Sequence, residues 1–196
     1  MNLPNKLTIS RFLLTVAFLL AIFSDIRCHE TLALALFVAA SITDYYDGMI
    51  ARRDKLITNF GILMDPLADK ILVCSAFIAF IGRGWMPAWM VVIIVARELA
   101  ITGLRLLAAS KHVVLAAERY GKHKTISQIV AIISVLVLVS YDQWGVVGKA
   151  IFGFSLFGGP WVVWFTAMSK WVTVALTFVS GWLYLWRNRH LYLQEM

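Results

Sequence analysis

The sequence predicts an all-α integral membrane protein with six transmembrane helices and a polar cavity at the cytoplasmic side. The chain is 61% hydrophobic and its mean hydropathy is +0.79, well above the range of soluble domains. A helix needs about 20 residues to cross a bilayer, and several of the apolar runs reach that length only together with flanking polar stretches. Lipid does not accommodate such stretches, so they must face one another around a hydrated cavity.

The predicted spans follow the apolar runs in chain order. We expect a single domain over residues 1–196, with spans near 7–24, 31–51, 61–82, 87–108, 125–141 and 163–186. The first span has a basic flank like a signal peptide, but no small-residue cleavage site follows it. The polar halves belong to spans two, three and four, which are therefore expected to line the cavity.

The basic residues predict the orientation. The side that holds the N-terminus, the C-terminal tail and two of the loops carries most of them: Lys6, Arg11, Arg52, Arg53, Lys55, Lys111, Arg119, Lys122, Lys124, Arg187 and Arg189. The opposite side carries only Arg27, Arg83 and Lys149. The positive-inside rule therefore places the first side in the cytoplasm. Because the formal charge of +7 is dispersed among membrane loops, nucleic-acid binding is disfavoured.

Four aspartates interrupt the second and third spans. Asp44 and Asp47 are spaced i, i+3 on one helix, and Asp65 and Asp69 are spaced i, i+4 on the next. Residues at these spacings share a helix face, and the short connection between the spans makes the two helices antiparallel neighbours. Ionisable residues at membrane depth are costly and mark functional sites. Four carboxylates cannot neutralise one another, so they require cations.

The chemistry of these side chains favours a hard divalent ion. Carboxylate oxygens without neighbouring cysteine or histidine suit Mg²⁺ or Mn²⁺. Four aspartates have enough oxygens for two ions, and a two-metal centre can stabilise both the attacking and the leaving oxygen of a phosphoryl displacement. The alternative, in which an intramembrane aspartate pairs with a nearby Lys or Arg, explains one acid better than four.

Small residues accompany the acids. Gly48 and Ala51 continue the stripe of the first pair, and Gly61 lies on the stripe of the second. Side chains of this size open a slot into which a ligand or another backbone can fit closely. Small residues also occur where membrane helices simply pack tightly, which is the structural alternative for each of them alone.

The spacing of these residues resembles the signature of the CDP-alcohol phosphotransferases. Residues 44–69 read Asp-x2-Asp-Gly-x2-Ala-Arg-x8-Gly-x3-Asp-x3-Asp, with a match at every specified position. The resemblance implies transfer of a phosphoalcohol unit from CDP to a second alcohol, with release of CMP. It also implies a homodimer in a bacterial inner membrane, with the active site facing the cytoplasm.

The resemblance assigns roles to positions of this sequence. Asp44, Asp47 and Asp65 are implied metal ligands, and Asp69 is both a metal ligand and the candidate general base. The implied CDP-binding residues are Asp44, Asp47, Gly48, Ala51, Arg52, Gly61 and Asp65.

Three shorter strings resemble the branch of the family that makes phosphatidylglycerophosphate. They are residues 2–11, residues 97–105 (Arg-Glu-Leu-Ala-Ile-Thr-Gly-Leu-Arg) and residues 121–128 (Gly-Lys-His-Lys-Thr-Ile-Ser-Gln). In that branch the donor is CDP-diacylglycerol and the acceptor is sn-glycerol 3-phosphate. A phosphate dianion on the acceptor requires basic side chains near the metals. The candidates are Arg97, Arg105, Lys122 and Lys124.

Several alternatives stay open from the sequence. Lys122 and Lys124, like Lys111 and Arg119, are about equally well explained by the positive-inside rule. Glu98 and Arg105 are seven apart, so an ion pair between them is an alternative, and Thr125 with Gln128 fits a helix capping box. Another member of the same family with inositol phosphate, serine or a lipid as acceptor is the second interpretation. A divalent-cation transporter is the third, although the internal symmetry typical of transporters is not visible.

Overall fold

A computed structural model describes the backbone of residues 3–54, 59–110, 120–156 and 158–189, and the side chains of residues 9–43, 70–109, 123–156 and 158–189. Six long helices dominate the described chain: α1 (Leu3–Phe23), α2 (His29–Asp54), α3 (Asn59–Gly82), α4 (Ala88–Ser110), α5 (Tyr120–Ser140) and α7 (Trp161–Arg187). Between the last two lie a short 3-10 helix (Tyr141–Trp144), helix α6 (Gly145–Phe152), and the strands β1 (Ser155–Leu156) and β2 (Gly159–Pro160). The strands pair as a small antiparallel hairpin.

Each predicted span corresponds to one long helix, and the helices extend a few residues beyond the apolar runs. The largest difference is at α5, which begins at Tyr120 rather than near residue 125. Thr125 is therefore inside the helix, so the suggested capping box at Thr125 and Gln128 is wrong. The segment from Tyr141 to Pro160, with α6 and the hairpin, was not predicted at all.

The apolar core lies where the described parts of α1, α2, α3 and α5 converge. Phe18 of α1 packs on Phe37 of α2 with their ring centroids 5.8 Å apart. Phe77 and Phe80 of α3 meet edge to face at 6.3 Å, and all four rings are fully buried. The described portions of α2 and α3 both pack closely on α1. Aromatic pairs of this kind stabilise a core beyond the area that they bury.

Helix α7 packs on α5 through small and hydroxyl-bearing residues. The Thr166 hydroxyl donates to the Ser134 carbonyl over 3.0 Å, and the Thr173 hydroxyl donates to the Ser127 carbonyl over 2.8 Å. The hydroxyls of Ser134 and Ser169 are 2.8 Å apart and share a hydrogen bond. Close approach of two helices through small and hydroxylated side chains is typical of packing within a membrane.

The opposite face of α7 carries large apolar side chains that are mostly exposed in the described protein. Trp164, Met168, Trp171, Phe178 and Trp182 are each more than half exposed. A helix on the surface of a soluble protein presents polar side chains outward, whereas α7 has its polar side inward. This inverted pattern fits an all-α membrane protein.

The length and hydropathy of the helices point the same way. Among the described residues, Trp161–Arg187 and the continuous helical stretch His123–Phe152 are long and apolar enough to cross a bilayer. Shorter apolar helical stretches cover Ile9–Phe23, His29–Thr43 and Lys70–Gly82.

The two ends of the bundle differ in character. The aspartate end is where α2 ends and α3 begins, and the opposite end is where α2 begins. At the opposite end, Arg83 lies 2.5 Å from His29 Nε2, and Gln143 donates to the Glu30 carboxylate, also over 2.5 Å. These contacts link the first turn of α2 to the residue that follows α3 and to the 3-10 helix that follows α5. The opposite end is therefore held together by polar side chains.

Candidate functional site

The signature residues lie on two helices at the aspartate end. Asp44, Asp47 and Gly48 are on α2, whereas Asp65 and Asp69 are on α3. Ala51 and Arg52 also belong to α2, and Gly61 belongs to α3. The backbone thus has the helical form that the stripe argument requires. The side chains of residues 44–69 lie outside the described residues, so the meeting of the two acidic stripes stays a prediction.

Lys70, directly after Asp69, links α3 to α4. Its ammonium donates a hydrogen bond to the Thr102 hydroxyl. That hydroxyl in turn donates to the Glu98 carbonyl over 2.7 Å. Because successive helical residues point about 100° apart, Lys70 faces α4 while Asp69 lies on the neighbouring stripe of α3. The contact fixes α4 at the depth of the signature acids.

A buried ionic cluster centres on Glu98 of α4. The ammonium of Lys124 on α5 donates to the Glu98 Oε1 atom, and the Gln128 amide nitrogen lies 3.4 Å from the same atom. Arg97 Nη1 is 3.5 Å from it as well. Glu98, Lys124 and Gln128 are all at most 6% exposed. Buried charges occur in proteins when they are paired and hydrogen-bonded, and this cluster satisfies both conditions.

The structure brings together two of the four predicted phosphate-binding residues. Arg97 and Lys124 are brought together at Glu98. Arg105 is exposed, and its guanidinium lies 5.9 Å from the centre of the Tyr184 ring on α7. The suggested Glu98–Arg105 ion pair is therefore wrong, since Glu98 is taken by Lys124 and Arg97. The side chain of Lys122 lies outside the described residues.

The burial of Lys124 argues against one of its two sequence interpretations. A lysine that only sets orientation lies in a cytoplasmic loop, in contact with water. Lys124 is 4% exposed and lies within helix α5. Its neighbour His123 is exposed.

Helix α7 also contacts the cluster around Glu98, through Arg97, and this contact was not predicted from the sequence. The aliphatic part of Arg97 lies directly on Gly181, so that a Cβ atom added at Gly181 would be 2.7 Å from Arg97 Cγ. Thr177 and Tyr184 flank Gly181 on the buried face of α7. Within the described part of the chain, their hydroxyl oxygens are buried without a hydrogen-bond partner. The sequence feature that could have indicated this contact is the stripe of small and hydroxyl-bearing residues along α7.

The contact at Gly181 gives a testable prediction. Gly181→Ala should displace Arg97, lower the free energy of unfolding by about 1–3 kcal/mol as overpacking does, and weaken any binding that depends on Arg97. The matched control is Gly103→Ala on α4, where an added Cβ has no neighbour within 4 Å. Thermal unfolding of both variants in detergent measures the difference. Equal unfolding midpoints would contradict the tight Arg97–Gly181 contact.

The donor set of the signature fits a hard divalent cation. It consists of four carboxylates without a cysteine or histidine among residues 44–69, and oxygen ligands of this kind suit Mg²⁺ and Mn²⁺. In the part of the chain whose side chains the structure describes, no three or more His, Cys, Asp or Glu side chains are grouped so that they could hold a metal ion.

Comparison with known proteins identifies the family. Residues 1–186 match the model of the CDP-alcohol phosphatidyltransferase family. A protein of Bacillus subtilis named CDP-diacylglycerol–glycerol-3-phosphate 3-phosphatidyltransferase is 39% identical over 199 residues, covering 95% of each chain. A protein of the same name from Rickettsia felis is 34% identical over 93% of each chain. A probable phosphatidylglycerophosphate synthase of Mycobacterium tuberculosis is 43% identical over 134 residues, covering 67% of this chain and 64% of its own.

The chain belongs to the CDP-alcohol phosphatidyltransferase family. The family assignment agrees with the signature on α2 and α3 and with the all-α membrane architecture. It makes the protein a phosphatidyltransferase.

Proposed function

We propose that this enzyme transfers the phosphatidyl group from CDP-diacylglycerol to sn-glycerol 3-phosphate, giving phosphatidylglycerophosphate and CMP. The relatives from Bacillus subtilis and Rickettsia felis are named for this activity, and the match to this chain covers nearly their whole length. The observation in the structure that supports this acceptor is the pair of cations formed by the buried Lys124 and the partly buried Arg97, on the helices beside the signature. A phosphate-bearing acceptor needs such cations, and a neutral alcohol does not.

The four signature aspartates would hold two divalent cations, Mg²⁺ or Mn²⁺. Asp44 and Asp47 supply carboxylates from α2, and Asp65 and Asp69 supply them from α3. Bound there, the cations supply charge neutralisation for the pyrophosphate of the donor and for the oxygens of the displacement.

The nucleotide end of the donor would lie against the same two helices. Gly48, Ala51 and Gly61 leave room for it, and Arg52 provides a positive charge at the end of the slot. With Asp44, Asp47 and Asp65 these residues form the proposed CDP-binding surface. The acyl chains of the donor stay in the bilayer, so the slot must open sideways to lipid.

The chemical step is a displacement at the lipid-side phosphorus. The acceptor hydroxyl attacks that phosphorus, the new P–O bond forms, and the anhydride bond to the CMP phosphate breaks, so that CMP leaves with the bonding electrons. Asp69 accepts the hydroxyl proton as the attack proceeds, because a carboxylate in hydrogen-bond reach can act as general base. Positioning of the two substrates supplies much of the remaining rate enhancement.

The acceptor phosphate is assigned first to Arg97 and Lys124, which share one buried cluster. Arg105 and Lys122 are proposed as further contacts at the aspartate end. Arg105 has its guanidinium over the Tyr184 ring, and this stacking leaves the edge of its guanidinium plane available for hydrogen bonds.

The membrane setting completes the proposal. A single domain over residues 1–196 crosses the membrane six times with α1, α2, α3, α4, α5 and α7, and the aspartate end faces the cytoplasm. Basic residues on that side support this orientation. A bacterial inner membrane is the proposed location, and a homodimer is the proposed assembly.

The experiment that tests this function supplies purified protein with CDP-diacylglycerol and Mg²⁺ or Mn²⁺, and offers one acceptor at a time. Release of CMP is measured with glycerol 3-phosphate, inositol phosphate, serine and glycerol. We expect rapid release with glycerol 3-phosphate and little with the others. Faster release with inositol phosphate would replace the proposed acceptor, and flux of the metal across liposomes without CMP release would indicate a transporter.

A further inference from the structure

We infer that Glu98 is a positioning residue, whose carboxylate holds the Lys124 ammonium and the Arg97 guanidinium where they receive the phosphate of the acceptor. The inference rests on the proposed function and adds to it a residue that does not itself contact substrate. Glu98 has the sign of charge that repels phosphate, so its role must be exerted through the two cations.

The contacts of Glu98 carry the argument. Its Oε1 atom accepts a hydrogen bond from Lys124 Nζ and lies 3.5 Å from Arg97 Nη1. The Gln128 amide, one helical turn after Lys124, lies 3.4 Å from the same atom. Donors from two helices thus converge on one oxygen of a side chain that is only 8% exposed. A charge-assisted contact in such a buried setting fixes both partners more firmly than a surface ion pair does.

The arrangement of the helices explains why a carboxylate is needed at this place. Among the described residues, α4 packs on α7 and α3, and α5 packs on α7 and α2, while α4 and α5 have few close backbone contacts with each other. The space between them is bridged by the long side chains of Glu98, Lys124 and Gln128. The Lys124 ammonium is therefore held by side-chain contacts, the one to Glu98 among them, rather than by backbone packing of α4 on α5.

The charges at the cluster support a role toward an anion. Two cationic side chains share one carboxylate. Without Glu98 the two cations would repel each other. With Glu98 between them, both cations can lie within reach of one phosphate.

The test is the variant Glu98→Gln, which keeps the shape of the side chain and removes its charge. We expect the KM for glycerol 3-phosphate to rise about 10- to 100-fold, the range of one charge-assisted hydrogen bond. The KM for CDP-diacylglycerol should stay within about twofold of the wild-type value, because the donor site uses other residues. Competitive inhibition by inorganic phosphate should weaken by the same factor as acceptor binding.

A matched control is Glu30→Gln at the opposite end of the bundle. Glu30 also accepts a short hydrogen bond from a glutamine, Gln143, so the substitution is chemically the same. We expect both KM values to be unchanged in this variant. The milder variant Glu98→Asp keeps the charge and should give an acceptor KM between those of the wild type and Glu98→Gln. If Glu98→Gln does not fold, Glu98→Asp is the variant that tests the inference.

A double-mutant cycle distinguishes positioning from independent effects. If Glu98 acts through Lys124, adding Glu98→Gln to Lys124→Met should raise the acceptor KM much less than it does in the wild-type background. Additive effects, or equal rises of both KM values, would overturn the positioning role. The same assay separates this inference from the proposed function. If the wild type shows no metal-dependent CMP release, the proposed function is overturned. If Glu98→Gln has a normal acceptor KM, only the inference is overturned.

Discussion

Replacing Asp69 by asparagine is expected to abolish CMP release while the protein still binds its lipid donor. The substitution keeps the size of the side chain and one oxygen that can contact a cation, but it removes the group that accepts the hydroxyl proton. Loss of a general base lowers turnover by about 10²- to 10⁴-fold, and the loss of one negative charge at the metals adds to it. Turnover is measured as CMP release, and donor binding is measured separately at equilibrium.

The control for this variant is Asp142→Asn. Asp142 lies in the 3-10 helix, with a side chain that is 66% exposed and only a distant contact to Lys149. The same chemical change there should leave turnover and donor binding unaltered. Turnover of Asp69→Asn at the wild-type rate would refute the assignment of Asp69 as the base.

The variant Lys124→Met is expected to have the second-largest effect. It removes a cation assigned to the acceptor phosphate and leaves the Glu98 carboxylate buried with one fewer partner. Removal of one member of a buried ion pair costs about 3–5 kcal/mol in many proteins, and here Arg97 and Gln128 stay close enough to reduce that cost. We therefore expect a lower unfolding midpoint together with a strongly raised KM for glycerol 3-phosphate.

The exposed Lys149 provides the comparison for Lys124. Its side chain is 65% exposed, and its nitrogen is 3.9 Å from Asp142 at the opposite end of the bundle. Exposed pairs of this kind contribute about 0–1 kcal/mol, so Lys149→Met should resemble the wild type in both stability and kinetics. If the two lysine variants behave alike, Lys124 has neither a structural nor a binding role.

The helices were largely predictable because each contains a long apolar run. Hydropathy marks the part of a helix that lipid or apolar neighbours surround, and it does not mark where the hydrogen-bonded helix ends. For this reason α1 and α5 begin four to five residues earlier than predicted, at Leu3 and Tyr120. The segment with α6 and the hairpin is too short and too mixed in composition for the same criterion.

The candidate site was predictable only in part. The signature could be read from the sequence because its residues are spaced along single helices, where spacing alone determines which side chains share a face. The partners of Glu98 could not be read in this way, because Lys124 and Gln128 come from another helix. The same limit applies to Gly181, which meets Arg97 only after α7 has packed on α4.

The central claim, that the signature aspartates hold divalent cations beside the donor, is tested most directly by counting bound metal. Purified protein is titrated with Mn²⁺ in the presence of CDP-diacylglycerol, and the bound ions are counted by electron paramagnetic resonance. We expect two Mn²⁺ ions per chain with magnetic coupling between them, and a loss of this coupled signal in Asp47→Asn. A wild-type protein that binds its donor and releases CMP without any bound Mn²⁺ or Mg²⁺ would contradict the claim.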